Sequence, residues 1–313
     1  MNRYLVTGGA GFIGSHIAGA LLEQGASVRV LDNFSSGKRE NLAAVTNVKN
    51  SGALEILKGD LRNDAEVAEA VRGVDVIFHE AAFVSVPGSV QNPQECFDVN
   101  VAGTCRLLEA ARHAGVRRVV IASSAAVYGD SDALPLRETT PPSPLSPYAA
   151  SKSANELYAG MYTEAFGLQV VALRYFNVYG PRQRPDSMYA AAVPIFIRRH
   201  LDGQPVTIFG DGKQTRDLIY VGDVVRANLA AADHEGAPGQ TFNVCTGTET
   251  ALLDLLEVLH ELCPGSPDPV FAPPRPGDIY KSLGSPAKAL DQLGFRAETR
   301  LAQGLKNTLE WMR

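Results

Sequence analysis

Residues 3–14 have the sequence RYLVTGGAGFIG, in which a short run of β-forming side chains is followed at once by glycines at positions 8, 11 and 14. The next residues continue in an apolar pattern of helical period to about Gln24. The stretch therefore predicts a strand, a tight turn and a helix, in that order. Glycines at this spacing allow a tight turn, close approach of the backbone to a phosphate, and close packing of helix on strand. The helix N-terminus then supplies free N–H groups and a positive dipole end for an anion.

A second predicted strand, over 27–31, ends at Asp32, eighteen positions after Gly14. An acid at this place accepts the hydroxyls of an adenosine ribose and repels a 2′-phosphate. A simple glycine turn beside a surface Asp would not explain the order and the spacing of these features. The N-terminal stretch therefore predicts a dinucleotide site, with NAD favoured over NADP.

Strand and helix patterns alternate through the first half of the chain. Strand runs occur over 54–57, 74–79, 118–122 and 169–174, and a helical stretch extends from 96 to 113. This alternation is typical of a parallel sheet covered by helices on both faces, so we expect an α/β fold of the Rossmann type with a doubly wound sheet. Ligands bind beyond the carboxyl ends of the strands in such sheets. Four residues just past strand ends should therefore line one crevice: Asp60, Ala81, Ser124 and Asn177.

The sequence becomes richer in Pro, Gly and Arg after residue 176. We therefore expect an NAD-binding domain over 1–176, with 215–247 packing back onto it. A smaller C-terminal α/β lobe, formed by 177–214 and 248–313, would bind the substrate.

Composition excludes several classes of protein. The 313 residues have a formal net charge of −5, so the chain has no basic footprint for nucleic acid. Cys96, Cys105, Cys245 and Cys263 show no CxxC pair and no metal-ligand spacing, and the six histidines form no HExxH. We expect no catalytic metal, reduced thiols and a cytoplasmic location. The first strand begins at residue 3 and no apolar run is long enough to span a membrane, so neither a signal peptide nor a membrane segment is expected.

Tyr148 and Lys152 are four residues apart, which places both side chains on one face of a helix. A phenol is a poor base at neutral pH because its ordinary pKa is about 10. A neighbouring ammonium favours the phenolate, and a nicotinamide cation would favour it further. Beside a dinucleotide site, the pair predicts a proton-transfer site.

Together these residues resemble the extended short-chain dehydrogenase/reductase family and, within it, the nucleotide-sugar 4-epimerases. The resemblance covers essentially the whole chain. It is carried by TGGAGFIGS at 7–15, DNFSSG at 32–37, SSAAVYG at 123–129, YAASK at 148–152, LRYFNVYG at 173–180, GDG at 210–212, Arg216-Asp217 and RPGD at 275–278.

The resemblance implies a role for each matching position. Ser124, Tyr148 and Lys152 would be the catalytic residues. Lys152 would bind the nicotinamide ribose and lower the pKa of Tyr148. The cofactor would contact Gly8, Gly11, Phe12, Ile13, Gly14, Asp32, Asn33, Ser36, Gly37, Asp60, Leu61, Ala81, Ala82, Tyr148, Lys152 and Tyr175. The substrate would contact Ser85, Ser124, Tyr148, Asn177, Ala191, Val193, Phe209, Arg216, Arg275, Asp278 and Ser282.

The implied reaction is reversible C4 epimerisation of a UDP-hexose through a transient 4-keto sugar, with tightly bound NAD. Related 4,6-dehydratases need an acid pair after the catalytic Ser or Thr, and related decarboxylases carry a Glu there. Ala125 and Ala126 occupy those positions. The small residues Ser282 and Ala191 imply a pocket that admits an N-acetyl group as well as a plain hexose.

Two other functions stay open, namely a UDP-glucuronate 4-epimerase and an NAD-binding regulator without catalysis. The family also implies a homodimer, through helices that include 100–113. Glu80 is a charge where relatives often carry an apolar or amide side chain, and we expect it to be a partly solvated structural acid.

Overall fold

The computed structural model describes residues 2–46, 52–185, 192–274 and 279–313. Its strands are β1 (Arg3–Thr7), β2 (Ser27–Asp32), β3 (Leu54–Lys58), β4 (Val76–His79), β5 (Arg118–Ser124), β6 (Gln169–Tyr175), β7 (Asn177–Tyr179), β8 (Thr207–Phe209), β9 (Thr215–Arg216), β10 (Leu218–Tyr220), β11 (Thr241–Val244), β12 (Thr250–Ala251) and β13 (Val270–Ala272). Its helices are α1 (Phe12–Glu23), α2 (Arg39–Thr46), α3 (Asp64–Val71), α4 (Val86–Gln91), α5 (Pro93–Phe97), α6 (Gly103–His113), α7 (Pro147–Phe166), α8 (Ala192–Leu201), α9 (Val221–Asp233), α10 (Leu252–Leu262), α11 (Ala287–Leu293) and α12 (Leu301–Met312).

The central sheet has seven parallel strands in the order β11-β6-β5-β4-β1-β2-β3. The chain winds outward from β1 in one direction through β2 and β3, and in the other through β4, β5 and β6. The strand order therefore reverses between β1 and β4, which is where a doubly wound sheet binds its ligand. The expected α/β fold with a parallel sheet is confirmed.

Apolar layers cover both faces of the sheet. Val6 of β1 belongs to a buried cluster with Ile17 of α1 and Val224 of α9. The adjacent Leu5 belongs to a second cluster with α3, α6 and α7, because successive strand residues point to opposite faces.

The C-terminal half contributes to two regions. β11 pairs with β6 at the edge of the central sheet, and α9 packs on that sheet. A separate apolar cluster joins α8, α10 and α12 through residues such as Ile197, Leu255 and Leu305. Three small sheets pair β7 with β10, β9 with β12, and β8 with β13. The division into an NAD-binding domain and a substrate lobe stays a prediction.

The predicted helical stretch over 96–113 is helical throughout, but it is not α-helical throughout. α5 ends at Phe97, a π-helical turn follows over Asp98–Ala102, and α6 begins at Gly103. The widened turn directs the buried Asn100 toward two neighbours: its Nδ2 donates to Phe83 O at 3.0 Å and to Ser151 Oγ at 2.9 Å. Its Oδ1 accepts from Phe83 N at 2.7 Å. Asn100 thus joins the loop after β4 to α7.

Among the described residues, none of the helices combines the length and the apolar character needed to cross a membrane.

Candidate active site

A cavity of about 990 Å³ lies at the carboxyl ends of the sheet strands. Asp60, Ala81, Ser124 and Asn177, which follow four different strands, all line it. Its volume is at the upper end of the range for ligand pockets, about 300–1,000 Å³. The sheet topology therefore brings the predicted strand-end residues to one place.

The glycine turn after β1 forms the floor of one end of the cavity. Gly8 has a φ of +66°, and a Cβ there would come within 2.7 Å of Ala81 N. A Cβ on Gly14 would be 2.4 Å from Gly8 O. Side chains at these positions would therefore collide with the protein's own backbone, and glycine lets the turn pack closely against the loop after β4 and against the start of α1. Gly8, Gly11, Phe12, Ile13 and Gly14 all line the cavity.

The acidic residues beyond β2 and β3 are fixed by hydrogen bonds. Asp32 accepts from Ala10 N at 2.9 Å and from Phe34 N at 2.8 Å, and burial raises its pKa. Asp60 accepts from Asn33 Nδ2 at 2.8 Å. Hydrogen bonds from Arg62 hold the pKa of Asp60 well below its usual range. The predicted adenosine end of the cavity, which Ser36 and Leu61 also line, is therefore already ordered in the protein alone.

Helix α7, which carries Tyr148, begins at residue types that favour a helix N-terminus. Ser146 is the N-cap, and its hydroxyl accepts from Ala149 N at 3.1 Å, while Pro147 occupies the first helical position. Tyr148 N donates to Ser89 Oγ at 3.1 Å. Gly167, with a φ of 71°, ends the helix in the left-handed conformation.

Ser124, Tyr148 and Lys152 lie together on one wall of the cavity. The Ser124 hydroxyl is hydrogen-bonded to the Tyr148 phenol. Lys152 Nζ donates to Ala122 O at 2.8 Å and is 5.8 Å from the centroid of the Tyr148 ring. Burial lowers the pKa of Lys152 to about 8. The three side chains expected to act together are thus adjacent.

The expected lowering of the Tyr148 pKa by Lys152 stays a prediction, because the protein's own groups together shift this pKa upward. Burial raises the pKa of Tyr148 to about 12, against the opposing hydrogen bond from Ser124, and the charge of Glu80 raises it further. Desolvation of the phenolate therefore outweighs the help of nearby donors. A positive charge from a ligand is needed to favour the phenolate.

The opposite end of the cavity is lined by residues of β7, α8, β8 and β9. Asn177, Val193, Phe209 and Arg216 line it, as predicted. Arg199 of α8 also lines it and is missing from the sequence prediction. It occurs in a basic run, Arg198-Arg199-His200, which resembles an ordinary exposed helix end.

Of the predicted residues that the structure describes, three do not line the cavity. The hydroxyl of Ser85 is engaged as the N-cap of α4, where it accepts from Gly88 N at 2.9 Å. A Cβ on Gly37 would contact Ala10 and Asp32, so this glycine supports the cofactor loop from behind. Ser282 is half-buried and its N–H donates to Thr215 O at 3.2 Å. Ala191, Arg275 and Asp278 lie outside the described residues.

Tyr175 lines the cavity beside Glu80. The Tyr175 hydroxyl donates to Glu80 Oε1 at 2.8 Å and accepts from Asn228 Nδ2, also at 2.8 Å. Asn228 is an amide in the otherwise largely apolar run 224–232, and that contrast was the one signal in the sequence that could have identified it.

Within the described ranges, no group of three or more His, Cys, Asp or Glu side chains could hold a metal ion.

Comparison with known families agrees with this geometry. The model of the NAD dependent epimerase/dehydratase family matches residues 4–245. The chain belongs to this family. The matched region extends from β1 through β11 and so includes the whole central sheet and Tyr148.

Individual family members are similar over the full length. The chain is 43% identical over 314 residues to the UDP-glucose 4-epimerase of Mycolicibacterium smegmatis, covering 99% of this chain and 98% of that one. The UDP-N-acetylglucosamine 4-epimerase of Methanobrevibacter ruminantium, solved with UDP-N-acetylmuramic acid, has a TM-score of 0.93 at 39% identity, with 99% and 98% coverage. The UDP-glucose 4-epimerase of Thermus thermophilus, solved with NAD, has a TM-score of 0.87 at 41% identity, with the same coverage.

Proposed function

We propose that this family member catalyses the reversible C4 epimerisation of a UDP-hexose, using NAD that stays bound through the reaction. The observation that carries the proposal is the adjacency of Ser124, Tyr148 and Lys152 on the wall of a cavity whose other end holds the glycine turn and Asp32. The full-length similarity to 4-epimerases supports the same reaction.

The residues present fit NAD. Gly8 and Gly14 allow the tight turn that places the N-terminus of α1 at the cavity, where its N–H groups suit a pyrophosphate, and the cavity-lining Asp32 suits the adenosine ribose. When bound, NAD supplies the acceptor for the hydrogen on the sugar C4 and returns it to the opposite face. Its positive nicotinamide also favours the phenolate of Tyr148, whose pKa burial otherwise raises.

The chain's own residues then move one proton and position the sugar. Tyr148 takes the proton from the sugar O4 and later gives it back. Ser124, already hydrogen-bonded to the phenol, orients the same hydroxyl. Lys152 binds the nicotinamide ribose. Because Ala125 and Ala126 follow Ser124, no acid is present there to eliminate water or to guide decarboxylation.

The far end of the cavity would hold the UDP diphosphate. Arg216 and Arg275 would bind it through charge-assisted hydrogen bonds, with Asn177 beside them and Asp278 on the uridine ribose. Anchoring at the diphosphate leaves the sugar free to turn between the two hydride transfers.

We further propose that both UDP-glucose/galactose and their N-acetylated forms are substrates, because the chain is similar over its full length to 4-epimerases of both kinds. The small Ser282 does not line the cavity itself, and a longer side chain at this position would test whether the residue limits the size of the sugar. A Ser282→Tyr variant should lose turnover of UDP-N-acetylglucosamine and keep that of UDP-glucose. Equal loss on both substrates would contradict this account of the pocket.

The reaction is tested by incubating the protein with a panel of UDP-sugars and following product stereochemistry by proton NMR, without added NAD. Interconversion of UDP-glucose and UDP-galactose supports the proposal, whereas turnover of UDP-glucuronate alone would favour the uronate epimerase. Tyr148→Phe should abolish turnover and keep bound NAD. A regulator would show no interconversion with any UDP-sugar.

A homodimer and a cytoplasmic location belong to the same proposal. On α7, Leu157 is 76% exposed and Met161 39%, an apolar surface next to α6 that a second copy could cover. The four cysteines are unpaired, as in a reducing compartment. Light scattering should give twice the monomer mass, and Leu157→Asp should give a monomer.

A further inference from the structure

Glu80 directly follows β4 and lines the cavity, and the proposed mechanism does not use it. Its carboxylate is held in place by a short chain of hydrogen bonds. Asn228, fully buried in α9, donates to the Tyr175 hydroxyl, and that hydroxyl donates to Glu80 Oε1. The amide of Asn228 also donates to Val224 O at 2.9 Å, which fixes its orientation. Two elements, β6 and α9, thus position one acid in the cavity.

The charged and titratable groups that act on Glu80 come from β6 and α7. Tyr175 donates to it, Lys152 acts on it through its charge, and Glu80 in turn acts on Tyr148. His79, the preceding residue, is directed away, between the hydroxyls of Thr7 and Thr104. Burial raises the pKa of Glu80 to about 7, against the Tyr175 hydrogen bond and the charge of Lys152.

We propose that Glu80 places a negative charge beside the nicotinamide half of the NAD site and so favours the oxidised over the reduced form of the bound nucleotide. This inference rests on the proposed function in one respect, namely that NAD binds with its nicotinamide half near Tyr148 and Lys152.

The physical reason is the difference in charge between the two forms. Oxidised nicotinamide is a cation and reduced nicotinamide is neutral, so a nearby carboxylate stabilises only the oxidised form. The effect is larger inside a protein than in water because the dielectric constant is lower. In the reaction, Glu80 would favour transfer of the hydride from the reduced nicotinamide back to the keto sugar. The keto sugar would then be short-lived and would rarely leave the site.

The inference is tested by equilibrium dialysis of the full-length protein against mixtures of NAD and NADH. The bound ratio of the two is measured after their release by absorbance, at 340 nm for NADH and at about 260 nm, where adenine absorbs, for both forms together. For Glu80→Gln, which keeps the shape and removes the charge, we expect the preference for NAD over NADH to fall about tenfold, which corresponds to one pKa unit of interaction. An unchanged preference, or equal loss of both nucleotides, would overturn the inference.

Glu95→Gln is the matched control. Glu95 also lines the cavity, but it lies 3.9 Å from Arg62, whose partner Asp60 is at the adenosine end. NAD and NADH are identical at that end, so this variant should keep the wild-type preference. A fall equal to that of Glu80→Gln would show that any acid in the cavity has the same effect and would overturn the assignment to Glu80.

A pH series on the wild-type protein needs no variant. Between pH 7.5 and 5.5 the preference for NAD should decline as Glu80 becomes protonated and loses its charge, and it should decline much less in Glu80→Gln. Lys152, with a pKa of about 8, is already mostly protonated at pH 7.5 and adds a smaller decline that both proteins share, and His79, with a pKa of about 3, stays neutral. A flat wild-type profile would overturn the inference. Because dialysis uses no sugar, failure of epimerisation with a normal shift in preference would overturn only the proposed function.

Discussion

Replacing Glu156 with Ala should destabilise the protein by several kcal/mol, although Glu156 lies outside the cavity lining. Glu156 and Arg174 form a buried ion pair with side chains 9% and 5% exposed, joined by contacts of 2.7 and 2.8 Å. Ser123 Oγ also donates to Glu156, at 2.5 Å. Removing the carboxylate leaves an unpaired guanidinium in the interior, which costs about 3–5 kcal/mol.

The assay is thermal unfolding followed by circular dichroism. At about 2 °C per kcal/mol, as in larger domains, the midpoint should fall by roughly 6–10 °C. Activity should fall as well, because Glu156, one turn beyond Lys152 on α7, is joined to β6 through Arg174 and to β5 through Ser123, the residue before Ser124. A variant that unfolds within about 1 °C of the wild type would refute the reasoning.

Two controls distinguish the effect of burial on stability from the effect of ion pairing itself. Asp202→Ala removes the partner of Arg198 in an exposed pair at 3.7 Å, with side chains 51% and 44% exposed. It should cost less than about 1 kcal/mol. Changing Glu156 and Arg174 together to Met should recover much of the lost stability, because an apolar pair needs no buried counter-ion. A double variant less stable than Glu156→Ala would contradict the account.

Three further predictions concern the cofactor turn, acid stability and a buried acid. Gly14→Ala should weaken NAD binding at least about tenfold, because its Cβ would lie 2.4 Å from Gly8 O and would distort the turn. Gly160→Ala is the control, since a Cβ there meets open space. The affinity of both variants for NAD is measured by titration calorimetry. Burial lowers the pKa of His79 from 6.5 to about 3, so the unfolded chain takes up a proton at a higher pH than the folded protein does. The free energy of unfolding should therefore fall as the pH decreases from 6.5. The midpoint of urea unfolding should fall less steeply with decreasing pH in His79→Asn than in the wild type. Asp217→Asn should lower the free energy of unfolding by roughly 2–3 kcal/mol, because a buried acceptor of several N–H groups becomes partly a donor; a urea midpoint equal to that of the wild type would contradict this.

The fold was predictable because its signals are local and repeated. The glycine turn, Asp32 and the alternating strands fix a parallel sheet, and the topology of that sheet then brings the strand ends together. Tyr148 and Lys152 were predictable because a spacing of four has one meaning on a helix. None of these inferences required knowledge of contacts between distant parts of the chain.

The remaining features depend on such distant contacts. The pKa of Tyr148 is set by burial, which a sequence does not display. Arg199 resembles a surface residue until α8 is placed over the cavity. Glu80 is half-buried, which agrees with the expected partial solvation, but its orientation by Tyr175 and Asn228, residues 95 and 148 positions away along the chain, was not predictable. The sequence predicts residue types at strand ends better than it predicts their charge states.

The π-helical turn over Asp98–Ala102 has a mechanical consequence. Its Asn100 binds both the loop after β4, which begins with Glu80, and α7, which carries Tyr148 and Lys152. The two segments that carry Glu80 on one side and Tyr148 and Lys152 on the other are therefore hydrogen-bonded to the same side chain. An α-helix turns about 100° per residue, so loss of a single residue before Asn100 in this turn would swing that side chain away from both. One irregular turn of helix thus helps to hold the two sides of the cavity at a fixed separation.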